Sequence, residues 1–319
     1  MEILLPVLAV LGGFVALVWA ADRFVMGAAA VAHNSGVSPL VIGLTIVGFG
    51  TSAPEMLVSS VAAYNGVANL SIGNAVGSNI ANVALVLGLA AMVRPLQIHP
   101  KVMGRELPVM ILVMLFAAGL MLDGELGRVD GILLLVGLLV MVTFVVREGL
   151  RSDDEPPDLE ELPDEMKTGV AVFWIVAGLA VLLASSEMLV WGATAVAQLF
   201  GVSERVIGLT VVAFGTSLPE LAATLVAAKR GEHDIAVGNV VGSNVFNTLG
   251  VLGLPGIIQP GRADALVMRL DVPVMIGVAA LLWVLARVFR PYSHLGRVRG
   301  GLLVVVYFAY AVGVYLYVS

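Results

Sequence analysis

Two six-residue segments carry the residue types most able to do chemistry: Gly50-Thr51-Ser52-Ala53-Pro54-Glu55 and Gly215-Thr216-Ser217-Leu218-Pro219-Glu220, each set in an otherwise apolar run. An ionised side chain at that depth in a bilayer costs about 2.5–3.5 kcal/mol on the lenient insertion scale, so two at matching positions call for a counter-ion, a wet cavity or protonation. No Lys, Arg or His occupies a comparable depth in the sequence. The proline of each segment removes a backbone donor and clashes with the carbonyl four residues earlier, at Gly50 and Gly215, so a helix interruption is predicted at each. Freed carbonyls at membrane depth are tolerated where they line a cavity or meet a ligand. With the Thr and Ser hydroxyls and the Glu carboxylates they form a set of hard oxygen donors.

Eighteen residues after each glutamate, in the next apolar run, stand Gly73-Asn74-Ala75-Val76-Gly77-Ser78-Asn79-Ile80-Ala81-Asn82 and Gly238-Asn239-Val240-Val241-Gly242-Ser243-Asn244-Val245-Phe246-Asn247. Ser78 and Asn82 are spaced i, i+4 and share a helical face, as do Ser243 and Asn247. The remaining amides, Asn74, Asn79, Asn239 and Asn244, read as interhelical glue. Ca²⁺ takes six to eight oxygen ligands from carboxylates, carbonyls, amides and hydroxyls, whereas Mg²⁺ sheds water reluctantly and transition metals favour imidazole or sulfur. Two glutamates with neutral oxygens suit Ca²⁺, and their two charges are equally neutralised by two monovalent cations. That competition is the simplest physical basis for exchange.

The elements that must hold these residues follow from composition. Of 319 residues, 59% are hydrophobic and 13% charged, with a mean hydropathy of +1.01. Apolar windows near residues 3–21, 37–63, 70–93, 107–122, 129–147, 169–191, 205–228, 234–258, 267–287 and 300–318 predict an all-α polytopic membrane protein of about ten transmembrane helices. The N-terminal run carries an acid and no base ahead of it, unlike a cleaved signal peptide, and reads as a retained first span. Asp22 and Glu187 fall near the ends of their windows and read as interfacial.

The halves repeat. At a constant offset of 165 residues, Ile42–Gly88 matches Ile207–Gly253 at 25 of 47 positions, Gly, Pro, Glu and Asn included. The predicted units are residues 1–148, an acidic linker at 149–167 containing Pro156, Pro157 and Pro163, and residues 168–319. The linker holds eight acids and two bases, which accounts for the whole net charge of −6, so the balanced body offers no electrostatic case for nucleic acid. Thirteen of the seventeen Lys and Arg residues fall on one side of the spans, which places the linker in the cytoplasm and both termini outside. Because five spans is an odd number, the halves are inverted, an arrangement secondary transporters use to bind substrate near the midplane between discontinuous helices.

The doubled GTS-x-PE and GN-x-x-GSN motifs resemble the alpha repeats of the sodium/calcium exchanger family, within the cation/calcium exchanger superfamily, and the Arg94–Pro108 segment is similar to that of its small bacterial inner-membrane members. The resemblance implies a multi-pass inner-membrane antiporter exchanging Ca²⁺ for Na⁺ by alternating access. It implies that Glu55 and Glu220 are shared by both ions, with Thr51, Ser52, Thr216, Ser217, Ser78, Ser243, Asn82 and Asn247 around them and backbone oxygens at Val47, Val212 and Ala213 contributing. It also implies that the first and sixth helices slide as a gating pair. Some members carry Asp where this chain has Asn247, so this site holds two carboxylates.

Ca²⁺/H⁺ or K⁺-dependent exchange is the alternative coupling, and a channel fits inverted motifs poorly. No HExxH or GxSxG motif is present, and there are no cysteines, so no enzymatic chemistry, resident cofactor or thiolate site is expected. The implied partners are Ca²⁺, Na⁺ and the lipid bilayer, with no protein partner.

Overall fold

A computed structural model describes residues 3–149, 166–201, 213–287 and 294–318. Its long elements are α1 (Leu4–Ser35), α2 (Pro39–Tyr64), α3 (Asn69–Val93), α4 (Val102–Leu120), α5 (Arg128–Gly149), α6 (Thr168–Leu199), α9 (His233–Ile258), α10 (Val267–Arg287) and α11 (Arg297–Val318). Between α6 and α9 lie a single turn, α7 (Ala213–Thr216), and the shorter helix α8 (Leu218–Arg230). Nine of the helices in the described residues are long and apolar enough to cross a membrane. In a bilayer core every backbone polar group needs a partner within its own segment, so apolar runs of this length take the helix.

Helix α9 is buried along its whole span and α3 along most of its own, whereas α5 and α11 expose most of their surface. The two helices that carry the GN-x-x-GSN motifs thus run through the centre. Helices α1 and α6 pack against each other along their length, outside this centre. Both outrun the apolar windows: α1 continues through Met26-Gly27-Ala28-Ala29-Ala30 to Ser35, because small residues keep it helical and closely packed beyond its charged pair. Asp22 and Glu187 therefore sit within long helices, not near their ends. Asp22 Oδ1 pairs with Arg230 of α8 at 2.6 Å, which ties α1 to the second half.

The 165-residue offset reappears in local geometry. The helices widen into π-type turns at Val102–Glu106 and again at Val267–Asp271, and at Ala81–Val86 and again at Asn247–Val251. Two ribbons of two residues per strand add a second signature. Strand β1 (Leu96–Gln97) pairs antiparallel with β4 (His294–Leu295), and β2 (Glu125–Leu126) with β3 (Gly261–Arg262). Strand β3 is the offset copy of β1. Each ribbon joins the connection after α3 or α9 to the connection between the last two helices of the opposite half, so the two ribbons exchange roles under the repeat.

Helices α2 and α9 meet backbone to backbone. A Cβ at Gly242 would collide with the Leu44 carbonyl, and one at Gly48 would stand 3.0 Å from the Ser243 backbone nitrogen. Only glycine permits this approach, which sets the first GTS-x-PE motif directly against the second GN-x-x-GSN motif.

The interruption predicted at the two prolines occurs at only one of them. In the first half the helix runs from Gly48 to Tyr64 with Pro54 inside it, and the irregularity lies upstream in a wide turn at Gly43–Val47. In the second half α7 ends at Thr216 and Ser217 adopts a turn (φ −90°, ψ 5°) before α8 begins. The stretch 205–212 of the predicted seventh span and all of the linker from 150 to 165 lie outside the described residues.

Candidate cation site

Glu55 projects from α2 one position after Pro54, and Glu220 from the first turn of α8 one position after Pro219; both are fully buried. They lie near enough for their like charges to repel. No ion pair joins either to a base among the described residues. Ser52 Oγ donates to Glu220 Oε1 at 3.4 Å, so a hydroxyl of one half touches the carboxylate of the other. Glu55 Oε1 and Oε2 and Glu220 Oε2 have no hydrogen-bond partner.

Asn82 and Asn247 reach the same condition from α3 and α9. Each sits where its helix widens, Asn82 as the second residue of one wide turn and Asn247 as the first of the other. Widened turns expose backbone and re-aim side chains, and they recur at functional sites. Both amides are fully buried and neither Oδ1 nor Nδ2 finds a partner. Seven of the eleven buried side-chain polar atoms left unpartnered in the described residues therefore belong to four predicted site residues. Most buried polar atoms in proteins are paired, at a cost of about 1–3 kcal/mol for each that is not. Five of the seven are oxygens, which leaves lone pairs of both carboxylates and both amides without a donor.

Hydroxyls complete the wall. Thr51 Oγ1 lies 3.2 Å from Ser243 Oγ and donates to Asn239 Oδ1 at 3.1 Å. Ser243 Oγ also donates to the Gly48 carbonyl at 3.4 Å, which closes the α2–α9 contact with polar bonds. Ser78 and Ser217 are buried, and Thr216 is half-buried at the end of α7. Val47 closes the wide turn of α2 and Ala213 opens α7; Val212 lies outside the described residues.

The amides read as glue behave as such in several places. Asn239 Nδ2 donates to Thr224 Oγ1 at 2.8 Å, and its repeat partner Asn74 donates to Ser59 Oγ at 3.2 Å, the equivalent position. Asn79 Nδ2 donates to Thr248 Oγ1 at 2.8 Å, binding α3 to α9. Sequence reading passed over Ser186 of α6, whose Oγ donates at 2.9 Å to the Gly215 carbonyl. The available signal was the proline rule, which had already marked that carbonyl as lacking its helical partner.

In chemical terms the set is rich in oxygen, with two carboxylates and no basic side chain paired to them among the described residues, a donor set of the kind hard cations take. Comparison with known proteins agrees. The sodium/calcium exchanger protein family model matches residues 5–147 and again 170–316. The chain is 43% identical over 305 residues to the putative antiporter CaxA of Alkalimonas amylolytica, covering 94% of this chain and 96% of that one. It is 31% identical to the sodium/calcium exchanger MaX1 of Methanosarcina acetivorans, covering 85% and 88%. It superposes on the solved sodium-calcium exchanger NCX_Mj, in crystals soaked with Na⁺ and Ca²⁺, with a TM-score of 0.84 at 34% identity, covering 96% of this chain and 97% of that one. The chain belongs to the sodium/calcium exchanger family and is a membrane transporter, not an enzyme.

Proposed function

We propose that this protein exchanges Ca²⁺ for Na⁺ across a bacterial inner membrane by alternating access. The observation that carries the reading is the cluster of buried, partnerless carboxylate and amide oxygens on Glu55, Glu220, Asn82 and Asn247, drawn from both halves. One Ca²⁺ or two Na⁺ neutralise the two carboxylates equally, and an empty site with two bare charges resists reorienting through an apolar barrier. Both ions share Glu55 and Glu220; Thr51, Ser52, Ser78, Thr216, Ser217, Ser243 and the carbonyls at Val47, Val212 and Ala213 complete their shells. The halves 1–148 and 168–319 act as the two repeats, α1 and α6 as the moving pair, with the 149–167 linker cytoplasmic and the termini outside. Support for the membrane comes from a relative 41% identical, named inner membrane protein YrbG of Escherichia coli.

The test is ⁴⁵Ca²⁺ uptake into proteoliposomes with and without an opposing Na⁺ gradient. Acceleration by Na⁺ is expected, and its absence removes the Na⁺ coupling. Bare buried carboxylates also accept protons, so a second reading, Ca²⁺/H⁺ exchange, is checked in the same vesicles by replacing the Na⁺ gradient with a pH gradient.

A further inference from the structure

The two halves differ at one buried position in a way that matches the difference in their helix interruptions. Proline at 54 or 219 leaves the carbonyl four residues earlier without its helical N–H. In the second half that carbonyl, on Gly215, receives the Ser186 hydroxyl of α6 at 2.9 Å, and Ser186 is buried. The repeat-equivalent of Ser186 in the first half is Ala21 of α1, also buried, which has no donor to offer Gly50. The half with the hydroxyl breaks at Ser217, and the half without it runs through Pro54 as a continuous helix. Glycine is required at 215, because a Cβ there would run into Val190 of α6. Helix α6 therefore grips this turn twice, by a side chain against Cα and by a hydrogen bond to the carbonyl.

We infer that Ser186 is a positioning residue for cation binding: by holding the Gly215 carbonyl it stabilises the turn that presents Thr216 and Ser217 to the ion. The inference rests on the cation-site reading above. Helix α6 packs chiefly on α1 and touches the rest of its own half at few places among the described residues, so the Ser186 bond ties the register of α6 to the shape of the cation-facing turn. A displaced α6 withdraws the donor, and the orphaned carbonyl then favours a different turn with weaker ligand geometry. Ser186 itself touches no ion.

The experiment compares wild type, Ser186→Ala and Ser186→Cys as purified full-length protein, by calorimetric titration with CaCl₂ and by hydrogen–deuterium exchange over residues 213–221. Alanine removes one oxygen and is the residue at the repeat-equivalent position 21, and the melting temperature of each variant checks that it is folded; the thiol is a near-isosteric, weaker donor. Expected is a rise of about 2- to 10-fold in the Ca²⁺ concentration for half-saturation in Ser186→Ala, the worth of one hydrogen bond, with Ser186→Cys between. Deuterium uptake at 213–221 rises in the same order, and saturating Ca²⁺ suppresses it. A half-saturation equal to wild type in Ser186→Ala overturns the inference, including where uptake rises, since the bond would then be structural only. Wild-type protein that binds no Ca²⁺ would instead bring down the cation-site reading and this inference with it.

Discussion

Ser52 of the first half donates its hydroxyl to Glu220 of the second at 3.4 Å, while both oxygens of Glu55 remain without a partner. The repeat thus builds two chemically matched carboxylates and leaves them in unequal surroundings. Glu55 is the barer of the two.

Replacing either glutamate by glutamine keeps shape and removes one charged ligand. Affinity in oxygen sites follows the number of charged ligands, so Glu55→Gln or Glu220→Gln should weaken Ca²⁺ binding by on the order of 100-fold or more. Thermal stability in cation-free buffer should hold or rise, because a buried uncompensated charge is removed. Transport at wild-type rates in either variant contradicts the assignment.

Ser52→Ala deletes the donor to Glu220. Hydrogen bonds to charged groups are worth about 1.5–3 kcal/mol, and at 3.4 Å this one belongs at the lower end, so half-saturating Ca²⁺ should increase about 10-fold. Flux measured against Ca²⁺ concentration checks it.

Gly242→Ala places a methyl on the Leu44 backbone and must part α2 from α9. Overpacking of this kind costs about 1–3 kcal/mol, and here it also pulls Ser243 from Thr51. Melting temperature and Ca²⁺ binding should both fall. Gly277→Ala in α10 is the control: nothing lies within 4 Å of its added Cβ, and helix propensity favours alanine by up to about 1 kcal/mol.

Asp22→Asn breaks the pair with Arg230, whose two side chains are each about one-third exposed. Such pairs contribute about 0–1 kcal/mol and are screened by salt. A shift in melting temperature that is small and vanishes at high ionic strength is expected.

Much of this was legible in the residues alone. The spans follow from apolar runs that have few other places to go, and the doubled segments contain six of the eight residues with unpartnered buried side-chain atoms among the described residues. What escaped reading depends on tertiary fit. The wide turns at Asn82 and Asn247 have no propensity signature, because a π-type turn arises from how a helix packs, not from what its residues prefer. The ribbons at Leu96–Gln97 and Glu125–Leu126 are too short to show alternation. The extension of α1 past Asp22 was hidden because a charged pair resembles a membrane boundary, and its partner Arg230 lies 208 residues away. Ser186 looked like one more small residue until its carbonyl partner was in view.

The ribbons carry a mechanical corollary. They lace α3, α4 and α5 of one half to α9, α10 and α11 of the other through backbone hydrogen bonds, as a hinge is pinned at both ends of a door frame. A protein braced in this way does not rock its two halves as rigid bodies without tearing those seams. Among the described residues no such seam crosses the perimeter where α1 and α6 lie.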